Sequence, residues 1–459
     1  MPIETAITRI AEVLGPRLSQ SSAVRSQHAQ NEAHFKEAQP DAVAFVESTS
    51  EVAQVMRICH EEWCPVTAWG AGTALEGQHL PVMGGVTLNM MAMNNILAVN
   101  AEDMDAVVQP GVTREELNEN LRAAGLFFSV DPGANASMGG MAATRASGTT
   151  ALRYGTMRDN IRSLEVVLAD GRVLRCGGRA RKSASGYDLA SMFIGSEGTL
   201  GVITELTVKL HGIPESTAAA SCAFESIEQA VQAVVAAIQV GIPVARMELL
   251  DVGYVDVLNE RFDLALPSKP HLFLEFHGSE LVVQEQAEIV GELAVELGGA
   301  NFDWKTRAED RNLLWRARHH AYEAMCSAHP GRHALVTDAC VPISQLVDAV
   351  ESARADIEAS SLPGAIIGHV GDGNFHAQLM VRDGSAADLE EAKAMANRIA
   401  ARSLEAGGTI TGEHGIGMGK THFMEAEHGV GWDVMGELKA LLDPGGILNP
   451  GKLLRPQAS

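Results

Sequence analysis

Residues 127–160, FFSVDPGANASMGGMAATRASGTTALRYGTMRDN, constrain this chain more than any other stretch. They are dense in Gly, Ala, Ser and Thr and poor in long side chains, whereas ordinary loops carry more charge. A long run of tiny residues lets backbone come close to something large and flat, whether a ligand or a tightly packed internal neighbour. The run is consistent with both. A shorter stretch of the same texture lies upstream, in CPVTAWGAGTALEG at 64–77. Residues 65–69 alternate like a strand, and Gly70, Ala71, Gly72, Thr73 and Ala74 follow as a small-residue turn. Such a turn lets backbone amides converge on an anion, typically a diphosphate. It is neither GxGxxG nor a Walker A sequence, and a plain tight turn reads the same way. A third cluster is KSASGYDLASMFIGSEGTLGVITELTVKL at 182–210, where Gly195, Gly198 and Gly201 space a turn into a strand over 202–210.

Regular elements separate these turns. The segment 41–58 predicts a strand (AVAFVES) and a helix opened by Ser48, Thr49 or Ser50 with Glu51 close behind. Residues 85–125 predict strands and then a helix, with Thr113 and Glu116 spaced as a capping box. Residues 161–175 predict a hairpin turning at Asp170-Gly171. The N-terminal residues 1–18 predict an amphipathic helix with Ile7, Ile10, Ala11 and Leu14 on one face.

From about residue 216 the pattern changes. Residues 226–241, 280–297 and 307–328 predict helices, and VARMELLD, HLFLEFHG and ALVTDACVPIS predict strands. Helices packed on an antiparallel sheet make an α+β layer. Two glycine-flanked motifs follow: GHVGDGNFH at 368–376 and GEHGIG at 412–417. GAIIGHV reads as a strand, GDGN as a turn and FHAQLMV as the returning strand, so a short hairpin brings His369 and His376 together. After a helix over 386–406, the second motif supplies Glu413 and His414. Two imidazoles and a carboxylate suit Zn²⁺, Fe²⁺ or Mn²⁺ and leave positions open for substrate. Asp372 fits a turn-stabilising role, while Asn374 is placed to bond a substrate or orient a ligand.

At 459 residues, 46% of them apolar, the chain has the length for two or three domains with large cores. A formal charge of −23 excludes nonspecific nucleic-acid binding and suits a small cationic electron carrier as partner. The six cysteines show no CxxC and no ferredoxin spacing, so they read as reduced, mostly buried thiols. No stretch reaches the apolar length needed to span a bilayer, and a cytoplasmic location is expected.

Taken together, AWGAGTALEG, VDPGANASMGGMAATRASGTT, RYGTMRDN, KSASGYDL and GSEGTLGVIT resemble the FAD-binding domain of the vanillyl-alcohol-oxidase / p-cresol-methylhydroxylase (PCMH) family. With GHVGDGNFH, GEHGIG and the tail LDPGGILNPGK, the resemblance covers nearly the whole chain. It is strongest to the D-2-hydroxyacid dehydrogenase group: flavin-dependent D-lactate dehydrogenases, then D-2-hydroxyglutarate dehydrogenases and the flavin subunit of glycolate oxidase. The fold implied is α+β. It comprises a two-subdomain FAD-binding domain at 1–215, a substrate or cap domain at 216–425 with an antiparallel sheet covered by helices, and a segment at 426–459 returning to the FAD domain.

The resemblance also implies roles. Ala71, Gly72, Thr73 and Ala74 cradle the FAD diphosphate with Gly139 and Gly140. Pro132, Gly133 and Ala134 border the flavin, and Ser137 and Ser147 contact the cofactor from the same loop. Glu197, Gly198 and Ile203 lie by the adenosine half, and Asn449 returns the C-terminus to the flavin. Neither 70–77 nor 131–149 contains a histidine, so noncovalent FAD is expected. Arg318, in LLWRARHHAYEAM, clamps the substrate carboxylate, with Arg316, His319 and His320 as its rivals. His369, His376 and Glu413 hold a divalent metal, Zn²⁺ first with Mn²⁺ and Fe²⁺ as alternatives, and His414 is the catalytic base. The implied reaction oxidises a D-2-hydroxy acid, D-lactate or a similar monocarboxylate, to the 2-oxo acid by metal-assisted hydride transfer to flavin N5. Electrons pass to an external acceptor: cytochrome c, an electron-transfer flavoprotein or quinone. A homodimer is compatible with this reading. The alternatives are a D-2-hydroxyglutarate dehydrogenase and a glycolate-oxidase-type subunit active only in a complex. Val336, where the 2-hydroxyglutarate enzymes tend to carry lysine, argues for a substrate without a second carboxylate.

Overall fold

A computed structural model describes residues 2–30, 33 and 35–455. The chain forms two compact units. The first comprises Met1–Ser147, Thr156–Ile213 and Glu413–Ser459, and the second Gly148–Gly155 and Pro214–Gly412.

In the first unit, Ala42–Phe45, Val86–Asn89 and Val66–Trp69 run parallel, and Leu18–Ser19 adds an antiparallel edge. Strands covered on both faces read as near-continuous apolar runs, and Ala42, Val43, Ala44, Val86 and Leu88 are indeed fully buried. Ser48 caps the helix Thr49–Glu61 by accepting from the Glu51 amide at 3.3 Å. The N-terminal helix Pro2–Leu14 buries Ala6, Ile7, Ile10 and Leu14. Ala11, expected on that face, is exposed, because Ala6, Ile10 and Leu14 define the i, i+4, i+8 stripe. A second, antiparallel sheet runs in the order Ile96–Asn100, Asp105–Val108, Val202–Lys209, Ile161–Val167, Val173–Gly177. Its last two strands are the hairpin predicted around Asp170-Gly171. Thr113 and Glu116 form the predicted capping box at the start of Arg114–Leu121.

The run at 127–160 is divided between the units rather than serving one. Gly148–Gly155 belongs to the second. There Arg153 donates to the carbonyls of Pro243 and His277 at 2.9 Å each. The Tyr154 hydroxyl meets His277 Nδ1 at 2.7 Å, and His277 Nε2 meets Glu275 at 2.8 Å.

The second unit is built on an eight-stranded antiparallel sheet. Its main order is Ala300–Lys305, Ser216–Ala223, His271–Gly278, Arg246–Leu250, Gly364–Gly368, Asn374–Arg382, Arg332–Val336, and Ala339–Cys340 pairs with Asn374–Arg382. Both faces are covered. Leu272, Leu274, Phe276, Met247, Leu249, Ile366, Phe375 and Ala377 pack with residues of Ile227–Val240, Glu280–Glu296, Leu346–Glu358 and Ala386–Glu405. Phe273, Leu250, Ala365, Ile367 and Met380 pack with Tyr254, Trp315, Ala317 and Met325. The helix expected over 307–328 is two, Ala308–His319 and Ala321–Ala328, parted at His320. Contact grouping ends this unit at Gly412 rather than near 425, because the residues after it are hydrogen-bonded into the first unit, as shown below. Among the described residues no helix is long and apolar enough to cross a membrane. All six cysteines are free thiols, four of them buried.

Candidate active site

Side-chain alternation along strands selects the residues of the second unit's site. Met247 and Leu249 face one layer of helices, so Glu248 faces the other, with Leu250. Likewise Phe375, Ala377 and Leu379 face the first layer, so His376 shares its face with Met380. His369 directly follows Gly364–Gly368, whose Ala365 and Ile367 lie on that same second face. Glu248, His369 and His376 therefore gather on the side covered by Ala308–His319, the helix that carries Arg318.

The predicted hairpin is present, with Ile367 opposite His376. The two imidazoles lie edge-on, ring centroids 5.5 Å apart, each with a ring nitrogen within 4.8 Å of the other's. His376 Nδ1 lies 3.0 Å from the carbonyl oxygen of Thr337. A carbonyl only accepts, so Nδ1 carries the proton and the lone pair falls on Nε2. His369 Nδ1 lies 2.8 Å from Oε1 of Glu248, which is fully buried. Orienting a histidine through its second ring nitrogen, on a carboxylate or a backbone carbonyl, is the usual support of a metal-ligating imidazole. The donor set thus fits a divalent ion of the zinc type.

Arg318 separates from its rivals by burial and partner. Arg316 and His320 are exposed, and His319 Nδ1 is held by the Trp315 carbonyl at 2.6 Å. Arg318 points inward and places Nε at 2.8 Å and Nη2 at 2.5 Å from Glu248 Oε2. Its Nε–Nη2 edge is therefore engaged within the protein, and its Nη1 end is not part of that pair. Asn374 is buried, and its amide donates to Asp338 Oδ1 at 2.9 Å and to the Ala339 carbonyl at 2.8 Å. Both of its donors tie the hairpin to the adjoining segment 338–340, and Oδ1 is not part of those bonds. Asp338 also accepts from Thr411 Oγ1 at 2.6 Å, and its carbonyl accepts from the Gly412 amide at 3.3 Å.

In the first unit, the strand Val66–Trp69 delivers the small-residue turn. The amides of Ala71, Gly72, Thr73 and Ala74 donate to no acceptor among the described residues. Gly72 has φ +76°, and a β-carbon there would lie 2.9 Å from the Trp69 ring. The buried Trp69 Nε1 has no hydrogen-bond partner. Four consecutive unengaged amides beside an unpartnered indole donor fit a diphosphate. Gly139 and Gly140 are different: their amides donate to the Pro110 carbonyl (2.9 Å) and to Ser137 Oγ (3.4 Å). Ser137 is thereby the N-cap of Met138–Thr144. Pro132, Ala134 and Ser147 are half-buried and Gly133 is exposed.

Glu197 and Asn449, expected beside the cofactor, brace the GEHGIG loop. The Glu197 carboxylate, 4% exposed, accepts from the amides of Ile416 at 2.6 Å and Gly417 at 2.8 Å. Gly415, at φ +79°, lies so close that a β-carbon would collide with that carboxylate. Gln78 Nε2 donates to the His414 carbonyl at 2.7 Å, and Asn449 Nδ2 donates to the carbonyls of Gln78 and Glu197 at 2.9 and 2.7 Å. Lys452 Nζ closes the network on Leu80 O at 2.6 Å and Asn449 Oδ1 at 3.3 Å. Burial pushes the Glu197 carboxyl upward, against the lowering by its amide donors. Burial pulls the Lys452 ammonium down to about 8, with Glu197 opposing. Gly198 adjoins this network at φ +71°, and Ile203 packs in the core of the antiparallel sheet. Glu413 and His414 lie side by side, Oε1 to Nε2 3.8 Å. Sequence reading missed Glu248, Gln78, Asp338 and Lys452. For Glu248 the available signal was a charged residue interrupting apolar strand texture in RMELL.

Solved structures define the class. A 4-ethylphenol oxidase from Gulosibacter chungangensis, determined with isoeugenol, superposes with TM-score 0.80 at 19% identity, covering 99% of this chain and 98% of that one. A p-cresol methylhydroxylase with substrate bound gives 0.79 at 18%, covering 99% and 97%. The fold is thus that of PCMH-type FAD-binding proteins. Family models for an FAD binding domain and for the C-terminal domain of FAD linked oxidases match residues 40–177 and 213–453. Among relatives, a probable mitochondrial D-lactate dehydrogenase of Danio rerio is 44% identical, over 98% of this chain and 92% of its own length. A mitochondrial D-lactate dehydrogenase [cytochrome] of Arabidopsis thaliana is 41% identical, over 98% and 80%. The glycolate oxidase subunit GlcD of Bacillus subtilis is 33% identical, over 98% and 97%. The chain belongs to the FAD-linked oxidase family.

Proposed function

We propose that this chain is an FAD-dependent dehydrogenase that oxidises a D-2-hydroxy acid, D-lactate first, to the 2-oxo acid. The observation that carries the reading is the paired anchoring of His369 on Glu248 and of His376 on Thr337, which puts the lone pairs of two neighbouring imidazoles on Nε2. Relatives named D-lactate dehydrogenase, 35–44% identical in fish, plant and yeast, support the substrate class.

Bound FAD supplies a two-electron acceptor and a bound divalent ion, Zn²⁺ first, a Lewis acid. FAD is held noncovalently, its diphosphate on the amides of Ala71, Gly72, Thr73 and Ala74. His369, His376 and Glu413 hold the ion. Arg318 receives the substrate carboxylate at its Nη1 end, and the neutral His414 imidazole takes the hydroxyl proton. Val336 places an apolar side chain where a second substrate carboxylate would need a cation. Cytochrome c is the proposed acceptor: the Arabidopsis and yeast relatives are named as cytochrome enzymes, and the charge of −23 favours a cationic carrier. A cytoplasmic location belongs to the same proposal. Several relatives are named as mitochondrial, and fractionation of the source cells distinguishes the two.

The test is anaerobic flavin bleaching with a panel of D- and L-2-hydroxy acids, before and after metal removal by a chelator. D-lactate should bleach the flavin, and metal-stripped protein should stay yellow and fail to turn over. Bleaching by L-acids alone, or full activity without metal, would sink the proposal.

A further inference from the structure

Glu248 belongs to no motif, yet its side chain touches both His369 and Arg318. It is fully buried in the strand Arg246–Leu250. Oε1 takes His369 Nδ1 at 2.8 Å, and Oε2 takes Arg318 Nε at 2.8 Å and Nη2 at 2.5 Å. We infer that Glu248 is a shared positioning residue, which fixes the tautomer of one metal-ligating histidine and the orientation of the substrate-binding arginine with a single carboxylate. The inference rests on the reading of His369 as a ligand and of Arg318 as the carboxylate arm.

The chemistry follows from what a carboxylate offers. It has two acceptor oxygens and no donor. One oxygen requires a proton on His369 Nδ1, which leaves the lone pair on Nε2. The other fills the Nε–Nη2 edge of the guanidinium, so Arg318 presents its far end and cannot swing round to take substrate side-on. Asp338 lies on the His376 side, its Oδ1 3.7 Å from His376 Nδ1. An amide at position 248 cannot do both jobs. With its oxygen on Arg318, its NH₂ faces His369 Nδ1, moves the ring proton to Nε2 and blocks coordination. With its oxygen on His369, its NH₂ faces the guanidinium and releases Arg318.

The experiment titrates apoprotein, flavin retained, with Zn²⁺ against a competing chromophoric chelator. It compares wild type, Glu248→Gln and His376→Ala, with KM and kcat for D-lactate measured at saturating Zn²⁺. Wild type should bind one Zn²⁺, and His376→Ala should lose it. Glu248→Gln should bind roughly 10–100-fold more weakly and, when saturated, raise KM more than it lowers kcat. Wild-type Zn²⁺ affinity with an unchanged KM in Glu248→Gln overturns the inference and leaves the metal reading standing. Absence of Zn²⁺ binding by wild type overturns both. A second measurement reads the tautomer in the wild-type protein itself. In ¹⁵N-histidine-labelled wild-type apoprotein, the His369 signal, assigned with His369→Asn, should report the Nδ1–H tautomer. An Nε2–H tautomer overturns the inference.

Discussion

Replacing Arg318 with Met tests the buried bridge through stability as well as catalysis. The variant removes two charge-assisted bonds, at 2.8 and 2.5 Å, from a carboxylate with no solvent exposure. Removing one partner of a buried ion pair leaves the other uncompensated and costs about 3–5 kcal/mol. His369 remains as a partner for Oε1, so the lower end of that range is the better expectation. For a unit of this size each kcal/mol moves the melting temperature by roughly 2–4 °C, giving a fall of about 6–12 °C. The double variant Arg318→Met/Glu248→Gln removes the stranded charge and should melt above the single variant, recovering roughly half of the loss. D-lactate binding should not return, since the guanidinium is still missing. The assay is calorimetry on the three proteins, with dye-coupled D-lactate turnover measured well below the lowest transition. A single variant within 1 kcal/mol of wild type, or a double variant no more stable than the single, would refute the view of Glu248 as a buried bridge.

Three further outcomes are expected. His414→Ala should lower kcat by about 10²–10⁴, the usual contribution of a positioned base, with the flavin absorbance unchanged. Glu197→Gln leaves one of two buried amides, Ile416 or Gly417, without an acceptor. It should destabilise the first unit by about 1–3 kcal/mol and lower kcat, read by melting and turnover together; an unchanged loop would leave both at wild-type values. Lys452 is held near 8 in the fold, against 10.5 ordinarily. Between those values the unfolded chain binds the extra proton, so rising pH stabilises the folded state. Wild type should therefore gain up to about 3 kcal/mol over Lys452→Met between pH 8 and 10.5, seen as a widening gap in melting temperature. A gap that stays constant over that range would contradict the burial of a charged amine.

Local chemistry was legible in the sequence wherever it acts over a few residues. Ser48 with Glu51, Thr113 with Glu116 and the Asp170-Gly171 turn are where their spacing places them. The hairpin that brings His369 near His376 was legible for the same reason, since a short glycine-bearing connection, residues 369–373, leaves its flanking strands little choice of register. The resemblance carried the fold class, because glycine and alanine spacing records how closely backbone must approach its neighbours. Misreadings came where burial overrode local pattern. Ala11 lost its place on the helix face to Ala6; the break of the 307–328 helix at exposed His320 is a separate departure.

What only the tertiary structure decided are the supports. Glu248 reaches His369 across 121 positions of sequence, Glu197 reaches the Ile416 amide across 219, and Gln78 reaches the His414 carbonyl across 336. A sequence declares a ligand through its neighbours in the chain; Glu248 and Gln78 have none that mark them, and the motif around Glu197 says nothing of the loop it braces. Their roles arise because buried carboxylates, amides and ammonium groups must be satisfied by whatever the fold brings to them. The sequence by itself marked the side chains proposed to do chemistry. The fold chose the ones that hold them at the right nitrogen and the right edge.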